Sequence, residues 1–193
     1  MRAAIAAAAA RIMAEGGVDN FALAKRKAAR QLGATEKQAL PGNDEIEREL
    51  RAYLEIYQAK KHPDRIRELR TIALSMMGEL AEFKPYLAGT VLKGFAGPYS
   101  DIELQLFPDS SKDVEIFLLN RNIQFESTEA RRYSGDRVRS VTVLELNWKG
   151  VPVKLTLFDS RDERITLKTT QTGKTMDRAG IPEVSAMVHW NVG

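Results

Sequence analysis

Cysteine is missing from this chain, which excludes a disulfide framework and any thiolate-held metal. Histidine is scarce: His62 and His189 lie far apart in the sequence, with no ligand spacing around them, and both read as surface or capping residues. No apolar run approaches the roughly 20 residues that a membrane-spanning helix requires, so no membrane partner is expected. Charge of one sign is also lacking. Lys and Arg number 29 against 26 Asp and Glu, a net charge of +3. Residues 1–85 hold 15 basic and 12 acidic side chains, and residues 86–193 hold 14 of each. So small an excess gives little electrostatic reason for a nucleic-acid partner.

What is present is ordinary for a soluble globular protein: 193 residues, 44% of them apolar and 28% charged. The absence of cysteine fits a reducing compartment, and a cytoplasmic location is expected. The opening "MRAAIAAAAARIMAEGG" resembles a secretory signal only superficially. Its core is alanine, Arg11 interrupts it, and an amphipathic helix follows. It reads as mature structure.

Residues 1–84 carry helical periodicity and predict an all-α unit of four helices. In the first, Ile5, Ala8, Ala9, Ile12 and Met13 share a face, and Gly16-Gly17 ends it. The second puts Phe21, Ala24, Ala28 and Leu32 on one side and stops at Gly33. The third has Asn43 as N-cap, acids in its first turn, lysines in its last, and a stripe of Ile46, Leu50, Tyr53, Leu54 and Tyr57. Pro63 opens the fourth, where Ile66, Leu69, Ala73, Met76, Leu80 and Phe83 recur at helical spacing.

The period changes after Pro85. "YLAG" is a short strand, and "DIELQLF" alternates, with Ile102, Leu104 and Leu106 on one face. Residues 111–121 read as a helix burying Val114, Phe117 and Leu118. "NIQFE" is a short strand. "RVRSVTVLELNW" and "VPVKLTLF" flank Lys149-Gly150, a hairpin signal, and "GIPEVSAMVHW" reads as a closing helix. Trp148 and Trp190 are most simply core or edge packing. The expected class is α+β, an N-terminal helical unit over 1–84 followed by a mixed α/β domain over 85–193.

Asp101 and Glu103 stand two residues apart at the head of the alternating strand. Strand side chains alternate, so the two carboxylates point to one side, opposite Ile102, Leu104 and Leu106. Such a pair can hold a hard divalent cation, Mg2+ or Mn2+, which binds through one or two carboxylates together with substrate phosphates. Gly89, Gly94 and Gly97 permit a loop whose N–H groups approach those phosphates. The plainer alternative is that Pro98-Tyr99-Ser100-Asp101 forms a turn with its acids on a solvated face.

The spacing Gly89-Thr90, three residues, Gly94, Ala96, then Ser100-Asp101-Ile102-Glu103-Leu104 resembles the minimal nucleotidyltransferase pattern of the polymerase-beta-type superfamily. The match covers about sixteen residues, and the surrounding order of elements is similar to that fold. The resemblance implies a nucleotidyltransferase-like domain over 85–193, with Gly89, Thr90, Gly94 and Ser100 binding the nucleotide and Asp101 and Glu103 holding magnesium or manganese. The implied activity transfers a nucleoside monophosphate from a triphosphate such as ATP to a protein or RNA acceptor.

This chain departs from the pattern at three places. Thr90 replaces a serine and keeps the hydroxyl; Glu103 replaces an aspartate and keeps the charge. The third carboxylate, which the family draws from a later strand, is absent from "VPVKLTLF". Lys154 and Thr156 occupy the polar side of that strand. Glu145 on the partner strand is the best substitute for the catalytic set, with Asp159 further off. Lys154, standing where an aspartate is usual, could place its ammonium beside the two carboxylates in lieu of a metal charge. The alternative function is therefore a catalytically degenerate module that binds nucleotide or nucleic acid.

Two other motifs are weaker. "QTGKT" at 171–175 resembles the end of a phosphate-binding loop, but that pattern needs glycine where the chain has Lys168. It reads as a basic loop, from which Lys174 or Arg178 could touch phosphates. Lys25, Arg26, Lys27 and Arg30 on the second helix could contact a nucleic-acid backbone. A solvated helix face is the simpler reading.

Overall fold

The computed structural model describes residues 1–16, 20–34, 40–57, 62–94, 100–134, 137–165 and 177–190. Gly17, Asp19, Glu36, Lys60, Lys61, Ala96, Gly97, Pro98, Tyr99, Lys168 and the 171–175 motif with Lys174 lie outside the described residues, as do the side chains of Glu15, Tyr57 and His62. The fold mixes helices with one five-stranded sheet. None of the helices among the described residues is long and apolar enough to cross a membrane. The chain divides into two compact units, Met1–Ile66 with Gly94–Ser100, and Arg67–Lys93 with Asp101–Gly193.

In the first unit, α1 (Arg2–Gly16), α2 (Phe21–Gln31) and α3 (Asn43–Tyr57) form around a small-residue core. Ile5, Ala9, Met13, Ala24, Ala28, Ile46, Leu50 and Leu54 are buried together, with Ala8, Ile12, Phe21 and Tyr53 packed at the margin. Alanines on α1 leave little side-chain bulk between the helices. Leu32, expected on the apolar side of α2, is 39% exposed, because it follows the helix as its C-cap. The Asn20 side chain caps α2 by accepting from the Leu23 N–H at 3.0 Å. Asn43, the expected cap of α3, is instead its first helical residue; Gly42 supplies the carbonyl for Ile46 N–H. Glu45 reaches back to the Gly42 N–H at 2.6 Å, and Arg2 of α1 also grips that carboxylate, Nη2 to Oε2 at 2.8 Å.

Helix α4 (His62–Glu79) is shared between the units, which part between Ile66 and Arg67. Its predicted stripe holds throughout: Ile66, Leu69, Ala73, Met76 and Leu80 are buried, as is Phe83 beyond it. In the second unit, β1 (Tyr86–Ala88), α5 (Gly89–Lys93), β2 (Ile102–Leu106), α6 (Ser111–Asn120), β3 (Phe125–Ser134), β4 (Arg137–Trp148), β5 (Val151–Leu157) and α7 (Ile181–His189) follow. The sheet order is β1-β2-β5-β4-β3. All neighbours are antiparallel except β2 and β5, which run parallel.

Register gives the sheet two unlike faces. One row runs Leu87, Leu104, Leu155, Leu144, and Ile102, Leu106, Val153, Leu157 and Leu146 share its face, all buried. Each fully buried Leu or Ile contributes about 1.5–3 kcal/mol. The next row, on the opposite face, runs Ala88, Glu103, Lys154, Glu145, Glu126. The β4–β5 turn is the predicted hairpin. Lys149 and Gly150 both have positive φ, 50° and 81°, as the tight primed turn requires.

Three expectations are corrected. Of the segment expected as the short strand "NIQFE", only Phe125 and Glu126 are strand, while Asn122 lies in a turn with φ 56°. The two open β3, which runs ten residues because β4 offers it an unbroken antiparallel partner from Leu146 to Arg137. Residues 89–93, expected as loop, form the short helix α5. Trp190, expected to pack, is 87% exposed. It follows α7 as its C-cap, beyond that helix's buried Val184 and Val188.

Candidate functional site

The polar row of the sheet brings Glu103, Lys154 and Glu145 side by side, with Asp101 against Lys154. Asp101 and Glu103 do share one side. Asp101 Oδ2 lies 2.8 Å from Lys154 Nζ, and Glu103 pairs with Lys154 across the parallel β2–β5 ladder. Lys154 in turn faces Glu145 on β4. Both Asp101 and Glu103 are half-buried, whereas Glu145 is exposed.

Burial of Lys154 works against its charge, but the hydrogen bond that its ammonium donates to Asp101 and the charges of Asp101, Glu145 and Glu103 outweigh it. Its pKa stands above the ordinary 10.5. The ammonium thus has three carboxylates acting on it, the electrostatic situation of a bound cation.

Gly89 opens α5 with φ +72°, a conformation that costs a residue with Cβ about 1–2 kcal/mol. A Cβ there would also stand 2.6 Å from Cδ of Glu103 and 2.7 and 2.8 Å from its two oxygens. The glutamate therefore packs its carboxylate directly against the backbone bend at Gly89, and glycine is required on both counts. Thr90 is buried beside it in sequence. Arg70 of α4, unremarked in the sequence, fixes this bend from behind. Its guanidinium donates to the carbonyls of Val91 at 3.1 Å and Leu92 at 2.8 Å, two groups that a five-residue helix leaves open. Gly94, with φ +83°, and Ser100, buried, group with the first unit.

Further along the same face, Tyr86, Gln105, Thr156 and Val143 form the next row, with Gln105 and Thr156 buried. Arg178 lies over the rings of Tyr86 and Phe107, 4.4 and 5.1 Å from their centroids. Tyr86 donates to Glu163 at 2.7 Å, and Lys84 pairs with the same carboxylate at 3.1 Å. Arg139 is committed to the buried Asp162. Arg132, on β3, was also missed. It lies in a segment whose strand character the sequence did not reveal.

Asp101 gives one oxygen to the Lys154 ammonium, and Lys154 holds the register position beside Glu103 at which the sequence pattern calls for a third carboxylate. Among the described residues no group of three or more His, Asp or Glu side chains is placed to hold a metal ion. Asp159, the more distant substitute, instead caps the turn after β5 and pairs with Arg161 at 2.9 Å. No protein-family model matches the chain, and no curated protein matches it.

Proposed function

We propose that the second unit is a nucleotidyltransferase-like module that binds a nucleoside triphosphate without carrying out transfer, with Lys154 in the role of the missing metal charge. The observation that carries this reading is the 2.8 Å contact of Lys154 with Asp101, made while Lys154 faces Glu103 in register. Two anionic side chains beside a triphosphate repel it; an ammonium between them removes part of that repulsion with no ion taken from solution. Gly89 and Thr90 supply the bend at which phosphates are approached, and Glu103 is packed against that bend. The group that would activate an acceptor hydroxyl has no candidate in the row.

Calorimetric titration of ATP, CTP, GTP and UTP, each with and without Mn2+, tests the reading. Wild type is expected to bind with little dependence on the metal. Lys154→Asp, which restores the carboxylate, is expected to bind nucleotide only when Mn2+ is present. Equal metal-dependent affinity in wild type and variant would overturn the proposal. So would transfer of label from any triphosphate to a protein or RNA acceptor that Asp101→Ala abolishes; that result would establish catalysis in its place.

A further inference from the structure

Around Lys154 the charges do not balance. Asp101, Glu103 and Glu145 act on a single ammonium, so the row remains net negative and is a poor seat for phosphate by itself. A phosphate ligand needs a further cation that is not already spent on a carboxylate.

Arg139 is bound to Asp162, Arg161 to Asp159, and Arg121 to Glu79. Arg178 is stacked on aromatic rings and donates to the Glu163 carbonyl. Arg132 differs. It is half-buried, its Nη1 donates to the neighbouring Arg131 carbonyl at 3.0 Å, and its Nε is fully buried with no hydrogen-bond partner among the described residues. Burial acts against its charge, and the opposing influence is the Glu103 carboxylate. A buried, orphaned guanidinium donor is expensive, and native proteins keep one where a water, ion or ligand completes it.

Its direction follows from the strand. Arg132 alternates with Ala130, and Ala130 packs against the cluster of Phe107, Val141 and Phe158. Ala130 and Arg132 therefore share the side of β3 that carries Glu126, the side of the Glu103–Lys154–Glu145 row. Arg131 alternates to the other side and is exposed.

We propose that Arg132 grips the terminal phosphate of the ligand on the Glu103 side of the sheet, its planar guanidinium turning the orphaned Nε toward a phosphate oxygen pair when the ligand enters. The fork geometry suits phosphate better than a point charge does. The proposal deepens the triphosphate-binding reading and rests on it for the ligand class.

The test is calorimetry on the full chain with two probes, inorganic tripolyphosphate and ATP, for wild type, Arg132→Gln and Arg131→Gln. Wild type is expected to bind both probes. Arg132→Gln should bind each about ten- to a hundredfold more weakly, the loss of one or two charge-assisted hydrogen bonds, and Arg131→Gln should match wild type. Thermal melting supplies a second readout. With its uncompensated buried donor removed, ligand-free Arg132→Gln should melt no lower than wild type, while the rise in Tm on adding tripolyphosphate should disappear. If Arg132→Gln does not fold, Arg132→Met keeps the apolar stem and serves for the same comparison. ATP binding undiminished in these variants overturns the role of Arg132 and leaves the triphosphate reading standing. Wild-type binding of tripolyphosphate that depends on Arg132, without binding of ATP, supports the role of Arg132 and sinks the nucleotide. Binding of neither probe overturns both.

Discussion

The carboxylate of Glu103 lies so close to Gly89 that a single added methyl group at the glycine would come within 2.6 Å of it. Gly89→Ala is therefore expected to cost more than the about 1–2 kcal/mol of the left-handed backbone alone, since Glu103 must also move. Urea unfolding of Gly89→Ala, Glu103→Ala and the double variant separates the two effects. The double variant should recover the steric part and retain the backbone part, a non-additivity that distant sites do not show.

Arg70 holds the open carbonyls of α5, so Arg70→Met should loosen that helix while leaving the sheet intact. The expected loss is about 1–3 kcal/mol, the range for hydrogen bonds made by a charged group. Hydrogen exchange should show faster amide turnover over residues 89–93 than over β2. Equal acceleration across both would mean that Arg70 supports the whole unit.

Leu104 and Lys154 sit on opposite faces of the same pair of strands and should differ sharply in their effect on stability. Leu104→Ala empties a buried site and should cost about 2–5 kcal/mol. Lys154→Ala removes a pair whose lysine side chain is 42% exposed and should cost less than about 1 kcal/mol. Chemical denaturation of the two variants makes the comparison. A large loss in Lys154→Ala would assign the lysine a structural role beyond charge.

The dependence on pH has two separate windows. Hydrogen bonds from Tyr86 and Lys84 hold Glu163 below its ordinary 4.5. Its contribution is full above 4.5 and is lost as the pH falls through the lower folded-state value. Lys154 is raised above 10.5, so its contribution is full below that value and is lost as the pH rises through its folded-state value. Stability measured across the acid range should fall less steeply in Glu163→Gln than in wild type. Lys154→Met should flatten only the alkaline limb.

Much of the fold was legible because the second half alternates cleanly. Ile102, Leu104 and Leu106 on β2, and Val151, Val153, Leu155 and Leu157 on β5, announced strands whose limits the structure reproduces within a residue or so. The first part of the chain was legible from its helical stripes. β3 was not, since Glu126, Thr128, Glu129, Arg131 and Arg132 put charged or polar groups on both sides; its order comes from pairing with β4, a non-local partner that local sequence does not reveal. The acid pair and Gly89 could be found by spacing, and Lys154 by register. Arg70 and Arg132 acquire meaning only from what tertiary structure puts beside them. Trp190 shows the reverse error: apolar type does not guarantee burial.

The parallel pairing of β2 with β5 carries a consequence for synthesis. Asp101 leaves the ribosome well before Lys154, and α6, β3 and β4 must all be translated in between. At about 5–20 residues per second, the nascent chain spends several seconds with its acidic pair lacking its counter-ion and its central strand missing a neighbour. The sheet's middle is therefore completed by a strand translated later, and a ribosome stalled before Val151 would hold a chain with a raw edge at β2.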